Sequence, residues 1–508
     1  MHPLVLLLLL LPLFLFSGLW QFVYALLSFI GTAKALGTVD PDTIDEVKEY
    51  FKGTKVGVRE FTGPLWYFGF LHAKTVTVDG RVAFVMGASI SQSYYSDQQH
   101  LIHDARHGGT LMHDVNLRIR GPGVEHVERT FTTLWNSTDT SSPRVPPQTH
   151  QQELPDGVAV QVLRTMPGET FEAWDVNDLA GSYLHGETGV LEAYQRAIAN
   201  AKDYVYIEDQ YLTAPEIVTA LIERMNMPEG QDLQAILVLN PKPDIPGYPR
   251  KQIELIRQLR NAIPDHENRV GIFTLWSFDE TKPPYDKATT PHELVSIYVH
   301  SKTAIVDDVW ATVGSANLDG ASLNESQVET ILGGVPVLGH IPKLASLIAN
   351  ITAFFSTSVK ENKETARPTQ HANPRRSSQP PRQTEVNVVV YNGVDGQPAN
   401  TKVSELREKI FREHLGYLPG SIWASGFPAS RPQGGWLPLW RHRAKEKCDY
   451  IKLRDTYDAL VLEWQHESDL EKYLKASKID TSMPTKISVR TPGKAHLFDF
   501  EFGKWKKK

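Results

Sequence analysis

The chain has 508 residues and a formal net charge of −6. It is long enough for two or three domains or one large duplicated one, and too acidic overall to create the basic field that nucleic acid selects. Its single cysteine, Cys448, excludes an intrachain disulfide and leaves the redox compartment open.

No charged residue occurs from Leu4 to Ile30. About 20 apolar residues cross a bilayer as a helix. Residues 1–35 are therefore expected to form a transmembrane anchor rather than a cleaved signal, whose apolar core is shorter and follows a basic start. Lys34, Lys48, Lys52 and Lys55 come after the run, which favours a cytoplasmic body. Secretion after cleavage is the alternative.

Residues 40–52 read as a short helix and "KVGVREF" as a strand. Residues 71–89 alternate β-formers around Asp79-Gly80, a hairpin pattern. "DVNLRIRG" is a further strand and "VEHVERTFTTLWN" an amphipathic helix, closing a first repeat over 40–140. A Pro- and Ser-rich linker, 141–157, follows. Residues 158–357 repeat the rhythm at larger size: helix "VLEAYQRAIANA", strand "DYVYIEDQYL", a helix over 214–226, strand "LQAILVLN", helix "RKQIELIRQLRNAI", strand "VGIFTLW" and the hairpin "SIYVHSKTAIVDDVWATVGSA". The alternation predicts an α/β fold. Residues 358–384 are polar and Pro-rich, an insertion expected to be disordered. Strand "EVNVVVYNG" and helix "KVSELREKIFREHLG" open the C-terminal part, 385–508, which reads as an irregular tail beyond Gly416.

The hairpins share one pattern. "LHAKTVTVDG" and "VHSKTAIVDD" both place His and Lys two apart and Asp five further on. On a strand, i and i+2 share a face, so His72 pairs with Lys74 and His300 with Lys302. Asp79 and Asp307 fall at odd spacing, at the turns, and are expected to be framework residues first. An imidazole beside an ammonium suits attack on a phosphate ester: the histidine is nucleophile or general acid/base and the lysine a point charge for phosphate oxygens. Two copies face to face put histidines on opposite sides of one phosphorus.

With "GSANLDG" following, His300, Lys302, Asp307, Gly314, Ser315 and Asn317 fill H-x-K-x4-D-x6-G-S-x-N. Together with "MHDVNLRIRGPGVEHVERTF", "YIEDQYL" and "EVNVVVYNG", they make residues 55–416, the insertion apart, resemble the phospholipase D superfamily. The resemblance implies a duplicated α-β-α sandwich with a pseudo-twofold active site, preceded here by the apolar N-terminal helix. It further implies a metal-independent phosphodiesterase working through a phosphohistidine, with no cofactor. His72 would attack and His300 protonate the leaving group. Lys74, Lys302 and Asn317 would hold the phosphate, with Ser315 and Ser89 beside it, and Asp114 and Glu325 would orient the histidines. The first copy departs from the pattern: Met86 stands for a Gly and Ser89 for Asn. Its opening strand and helix are also missing or replaced by the apolar segment.

His100, His103, His107 and His113 invite a zinc reading, but no zincin spacing is present. A solvated loop rimming the site is expected, and no metal. Glu208, Asp209 and Gln210 end a strand, and their sequence fits a cleft or a framework equally. The functional expectation is a membrane-anchored enzyme that hydrolyses a glycerophospholipid, such as phosphatidylcholine, to phosphatidic acid and a head-group alcohol. A cardiolipin synthase-like phosphatidyltransferase and a decayed membrane scaffold are the alternatives. Phospholipid and membrane are the expected partners, and nucleic acid is not.

Overall fold

The computed structural model describes residues 41–59, 71–90, 92–107, 110–138, 143–148, 157–166, 187–245, 247–278, 292–324, 383–393, 401–453, 460–464 and 485–488. The apolar segment 1–35, most of the linker, all but the last two residues of the Pro-rich insertion, and Glu325 lie outside the described residues. No helix among the described residues is long and apolar enough to cross a membrane.

In chain order the main elements are α1 (Pro41–Tyr50), β1 (Lys74–Val78), β2 (Val82–Met86), β3 (Met112–His113), β4 (Asn116–Arg120), α2 (Val124–Thr138), β5 (Val160–Met166), β6 (Glu187–Thr188), α3 (Gly189–Ala199), β7 (Tyr204–Asp209), α4 (Pro215–Asn226), β8 (Gln234–Leu239), α5 (Tyr248–Ala262), β9 (Val270–Phe278), β10 (His292–Val299), β11 (Lys302–Val306), β12 (Trp310–Gly314), β13 (Glu385–Tyr391), α6 (Lys402–His414), α7 (Leu437–Leu453), β14 (Val461–Glu463) and β15 (Thr485–Ser488).

The strand sequences separate two kinds of sheet. "QAILVL" and "VGIFTLWSF" are apolar almost throughout, and β8 and β9 are buried at every residue. They lie in a parallel run, β7 with β8 and β8 with β9, the arrangement in which both faces are covered. This run is the centre of a twelve-stranded mixed sheet whose path is β15-β10-β9-β8-β7-β11-β12-β13-β5-β6. Side chains of β7 alternate across it. Val205 and Ile207 pack with α3, α4 and α5, while Tyr204 and Tyr206 pack with α6 and α7 on the opposite face. The result is α/β, with helices on both sides of a large sheet.

The first half is smaller. Burial alternates along β2 and β4, and the sheet has three strands, β1-β2-β4. Its inner residues Ala83, Val85 and Ile119 pack with Val124 and Val127 of α2 and with Val386 and Val388 of β13. Among the described residues β1 pairs with β2 alone and is half-buried, with its last residue exposed. Its counterpart β11 lies between β7 and β12 and is fully buried. The counterpart of β7 is the strand the short first half lacks among the described residues. Two matching bridges clasp the halves: Val299 with His113, and Leu71 with Thr384.

Two segments differ from the sequence reading. Residues 56–59 of "KVGVREF" form no strand. Arg59 instead donates to the Trp135 carbonyl at 2.7 Å and lies 4.4 Å over that indole, which holds the segment against the end of α2. Nor is the region beyond Gly416 an irregular tail. Helix α7 buries Leu437, Trp440, Ala444, Lys447 and Ile451, and β14 and β15 add to β9 and β10.

Candidate active site

Each motif histidine sits just before its strand, where a main-chain clasp fixes it. The N–H groups of His300 and Ser301 both donate to the His113 carbonyl, at 2.8 and 3.1 Å. Those of His72 and Ala73 both donate to the Thr384 carbonyl, at 3.1 and 2.8 Å. The residue after each acceptor is acidic, and it takes the imidazole: His300 Nδ1 lies 2.7 Å from Asp114 Oδ2, and His72 Nδ1 lies 2.9 Å from Glu385 Oε1. The orienting carboxylate therefore comes from the opposite repeat each time. Bonding at Nδ1 leaves both Nε2 atoms for chemistry.

Each lysine curls back on its own motif. Lys74 Nζ donates to the His72 carbonyl at 2.6 Å. Lys302 Nζ donates to the His300 carbonyl, and also to Gln210 Oε1 at 3.1 Å. His72 and Lys74 lie within electrostatic reach of His300 and Lys302, so the geometry brings all four motif residues into one site.

Glu385 was not among the residues singled out from sequence. The structure gives it the position opposite Asp114, whereas Glu325 lies outside the described residues. The signal was present, since "DVNL" at Asp114 and "EVNV" at Glu385 are the same segment of the two repeats. The asparagines match as well. Asn116 Oδ1 accepts from Gly87 N at 3.2 Å, and Asn387 Oδ1 from Ala316 N at 3.1 Å.

Other expected residues divide by location. Asp79 and Asp307 occupy the hairpin turns with φ of 52° and 55°. Asp307 accepts from the N–H groups of Lys202, Asp203 and Tyr204 at 2.7 to 2.9 Å, a framework role at the far end of β11, away from the imidazoles. Ser315 Oγ donates to Glu385 Oε2 at 2.6 Å, so it supports the carboxylate rather than a phosphate. Its counterpart Gly87 has a different reason to be there, because a Cβ would sit 2.2 Å from Asp114 Oδ1. Met86 ends β2 opposite Lys74 and Asn116. A side chain at its counterpart Gly314 would instead collide with Asn387 Oδ1 at 2.3 Å. Asn317 is buried and its Oδ1 has no partner among the described residues; a flip of the amide turns an N–H donor that way. Ser89 is half-buried in the loop after β2.

The histidine-rich segment is not the solvated loop expected. His100 and His113 are 2% and 3% exposed, and they join Glu208, Glu413 and His414 behind the site. His103 is more open and pairs with Glu293 at 3.0 Å. Within "IEDQ", Gln210 reaches Lys302, while Asp209 Oδ1 accepts from the Tyr211 and Leu318 N–H groups.

The electrostatics suit two complementary histidines. Burial lowers His72, and Lys74 and Lys302 add to this against Glu385, so the imidazole is neutral and nucleophilic near pH 7. Burial pushes Lys74 down to about 7, with Glu385 opposing and Lys302 assisting. Burial also raises Asp114 to about 7. It holds His300 well below its ordinary range, with help from the neighbouring Lys302 and Lys74 and from His72 whenever that ring is protonated. Below about 7 the His300–Asp114 contact thus carries one proton to give. An anion entering the site would offset the positive charge and draw that proton onto the imidazole.

The crossing makes a direct prediction. Glu385→Gln keeps a hydrogen-bonding group but loses the charge that orients His72, and Asp114→Asn loses the carboxyl that shares a proton with His300. Each is expected to lower turnover by about 10²-fold or more, the scale of mis-set imidazoles elsewhere. Steady-state rates on intact, folded variants check this. Wild-type rates in both would remove the orienting role.

A profile of the family described as "Cardiolipin synthase, PLD-like domain" matches residues 194–333. Cardiolipin synthase of Staphylococcus aureus (strain Mu50 / ATCC 700699) is 22% identical over 253 residues, covering 49% of this chain and 41% of its own. Phospholipase D alpha 3 of Arabidopsis thaliana is 23% identical over 299 residues, 45% of this chain and 36% of its own. The chain thus spans about two fifths of the length of the curated relatives it matches. Among solved structures, a phosphatidylserine synthase of Haemophilus influenzae Rd KW20 aligns over 70% of this chain and 64% of its own. Its identity is 11% and its TM-score 0.36.

Proposed function

We propose, from the premise that the chain belongs to the phospholipase D superfamily, that it transfers the phosphatidyl group of a glycerophospholipid through a phosphohistidine at His72. One observation carries the reading: two imidazoles in one site, each held at Nδ1 by a carboxylate from the other repeat. His72 Nε2 attacks phosphorus while the proton held at His300 passes to the departing head-group oxygen. Lys74, Lys302 and the Asn317 amide bear the charge on the non-bridging oxygens. In the second step His300 takes a proton from the acceptor hydroxyl, whose oxygen displaces His72. No metal or cofactor has a part in this scheme.

The acceptor separates two readings. Similarity to a cardiolipin synthase profile over residues 194–333 supports an alcohol acceptor, as in lipid-to-lipid transfer. A His72 side chain left 23% exposed supports water, and hence hydrolysis to phosphatidic acid. Full-length protein supplied with phosphatidylglycerol vesicles decides between them. Cardiolipin and free glycerol are expected, and phosphatidic acid as the dominant product would move the reading to hydrolysis. No turnover of phosphatidylglycerol or phosphatidylcholine, and no labelled protein intermediate, would leave the decayed scaffold. Attachment to a membrane through residues 1–35 belongs to the same proposal, and flotation with vesicles tests it.

The pH dependence follows from the directions above. The ammonium of Lys74, at about 7, and the proton shared near Asp114, also at about 7, are both needed and both lost as pH rises. His72 must be neutral, and it is protonated only below its lowered value. The expected kcat/KM is therefore greatest on the acid side of neutrality. It falls as pH rises through about 7, with a log–log slope steeper than one proton gives. A flat profile from pH 6 to 9 would contradict these assignments.

A further inference from the structure

Behind the His300 half of the site lies a buried cluster that the reaction scheme leaves unused: His100, His113, Glu208, Glu413 and His414. His113 presents both ring nitrogens to carboxylates, Nδ1 at 2.8 Å from Glu413 Oε1 and Nε2 at 3.2 Å from Glu208 Oε1. A neutral imidazole has one N–H, so only the cation donates on both sides. Burial alone would discharge it, but Glu208 and Glu413 outweigh burial and hold it well above its ordinary range.

The remaining groups facing the cluster are donors too. Glu208 accepts from His414 Nε2 at 2.9 Å, Tyr206 Oη at 2.7 Å and Ser301 Oγ at 2.7 Å. Glu413 accepts from His100 Nε2 at 3.0 Å. Three separate parts of the chain therefore meet at His113: the loop carrying His100, strand β7 and the end of helix α6.

We propose that His113, pinned between Glu208 and Glu413, is a positioning residue that sets the general acid His300. This rests on the phosphatidyl-transfer reading. The His113 carbonyl takes the N–H groups of both His300 and Ser301, and its neighbour Asp114 takes the His300 imidazole. Glu208 reaches the same point from the far side through the Ser301 hydroxyl. Displacing the His113 ring thus moves the main-chain and side-chain anchors of His300 together, and neither anchor of His72. The ligand atoms of His113, Glu208 and His414, and of His100, His113 and Glu413, also fall within 4.8 Å of one another. Hydroxyl donors on both Glu208 oxygens favour a proton network over a metal ion there.

The test uses two substrates and the full chain. A lipid head group is a poor leaving group that needs the acid; the p-nitrophenolate of bis(p-nitrophenyl) phosphate does not. His113→Gln is expected to lower kcat on phosphatidylglycerol by about 10- to 100-fold with KM nearly constant, the range for residues that orient a catalytic histidine. The p-nitrophenol burst should fall by less than about threefold, because leaving-group protonation by His300 is not needed there. Glu413→Gln, which keeps the shape and removes one charge, should show the same selectivity more weakly. It remains informative if His113→Gln does not fold. Equal losses on both substrates, or none, would overturn the positioning role, as would a stoichiometric metal in the purified protein. A wild-type chain inactive on both substrates would overturn the parent reading, and this one with it.

Discussion

Replacing His72 by alanine is expected to lower turnover by about 10⁴-fold or more, the scale seen when a covalent enzyme loses its nucleophile. No neighbour can stand in. Lys74 Nζ is bonded to the His72 carbonyl, and Glu385 is buried behind the ring. The fold should survive, because Glu385 keeps the Ser315 hydroxyl at 2.6 Å and so is not left bare in the interior. The decisive measurement is a rapid detergent quench near neutral pH with phospholipid labelled at phosphorus. Wild type should yield an acid-labile phosphoprotein and His72→Ala none. Label retained on the variant would move the nucleophile elsewhere.

His300→Ala should fail differently. Loss of a general acid costs about 10²- to 10⁴-fold on an alkoxide leaving group and little on p-nitrophenolate. His300 also serves as base in the second step, so the variant should form the phosphohistidine from bis(p-nitrophenyl) phosphate and then hold it. A burst with arrested turnover is the expected trace. Undiminished lipid turnover in His300→Ala would remove the acid–base role altogether. The two substitutions together therefore assign the sides of the phosphorus, which the near-symmetry of the clasps cannot do by itself.

The strands and helices of the second half were legible because their periods are clean, and the four motif residues because their spacing repeats. Glu385 was not, for a reason of chain length. Asp114 follows His72 at about half the distance that separates Glu385 from His300, and the Pro-rich insertion accounts for more than half of the extra length. Counting forward from the second motif stops at Glu325, while matching "DVN" with "EVN" goes to Glu385. Helix α7 was hidden by its charge. Leu437, Trp440, Ala444, Lys447 and Ile451 recur at spacings of three and four, the stripe of a buried helix face, but the charged run "RHRAKEK" masks it, although Arg443 and Lys447 within that run are buried. The histidine-rich loop misled in the opposite sense. Polar composition suggests exposure, yet His100 and His113 are buried because Glu208 and Glu413 supply the partners that a buried imidazole requires.

The crossed carboxylates have a consequence for how the molecule comes to be active. A half expressed alone would carry its histidine and lysine but not the acid that aims them, and its own acid would aim nothing. On the phosphatidyl-transfer reading, activity is a logical conjunction of the two repeats, expected only once they have docked. Co-expressed halves that regain turnover would report that docking event directly. A change in one repeat should likewise be correctable by a change in the other.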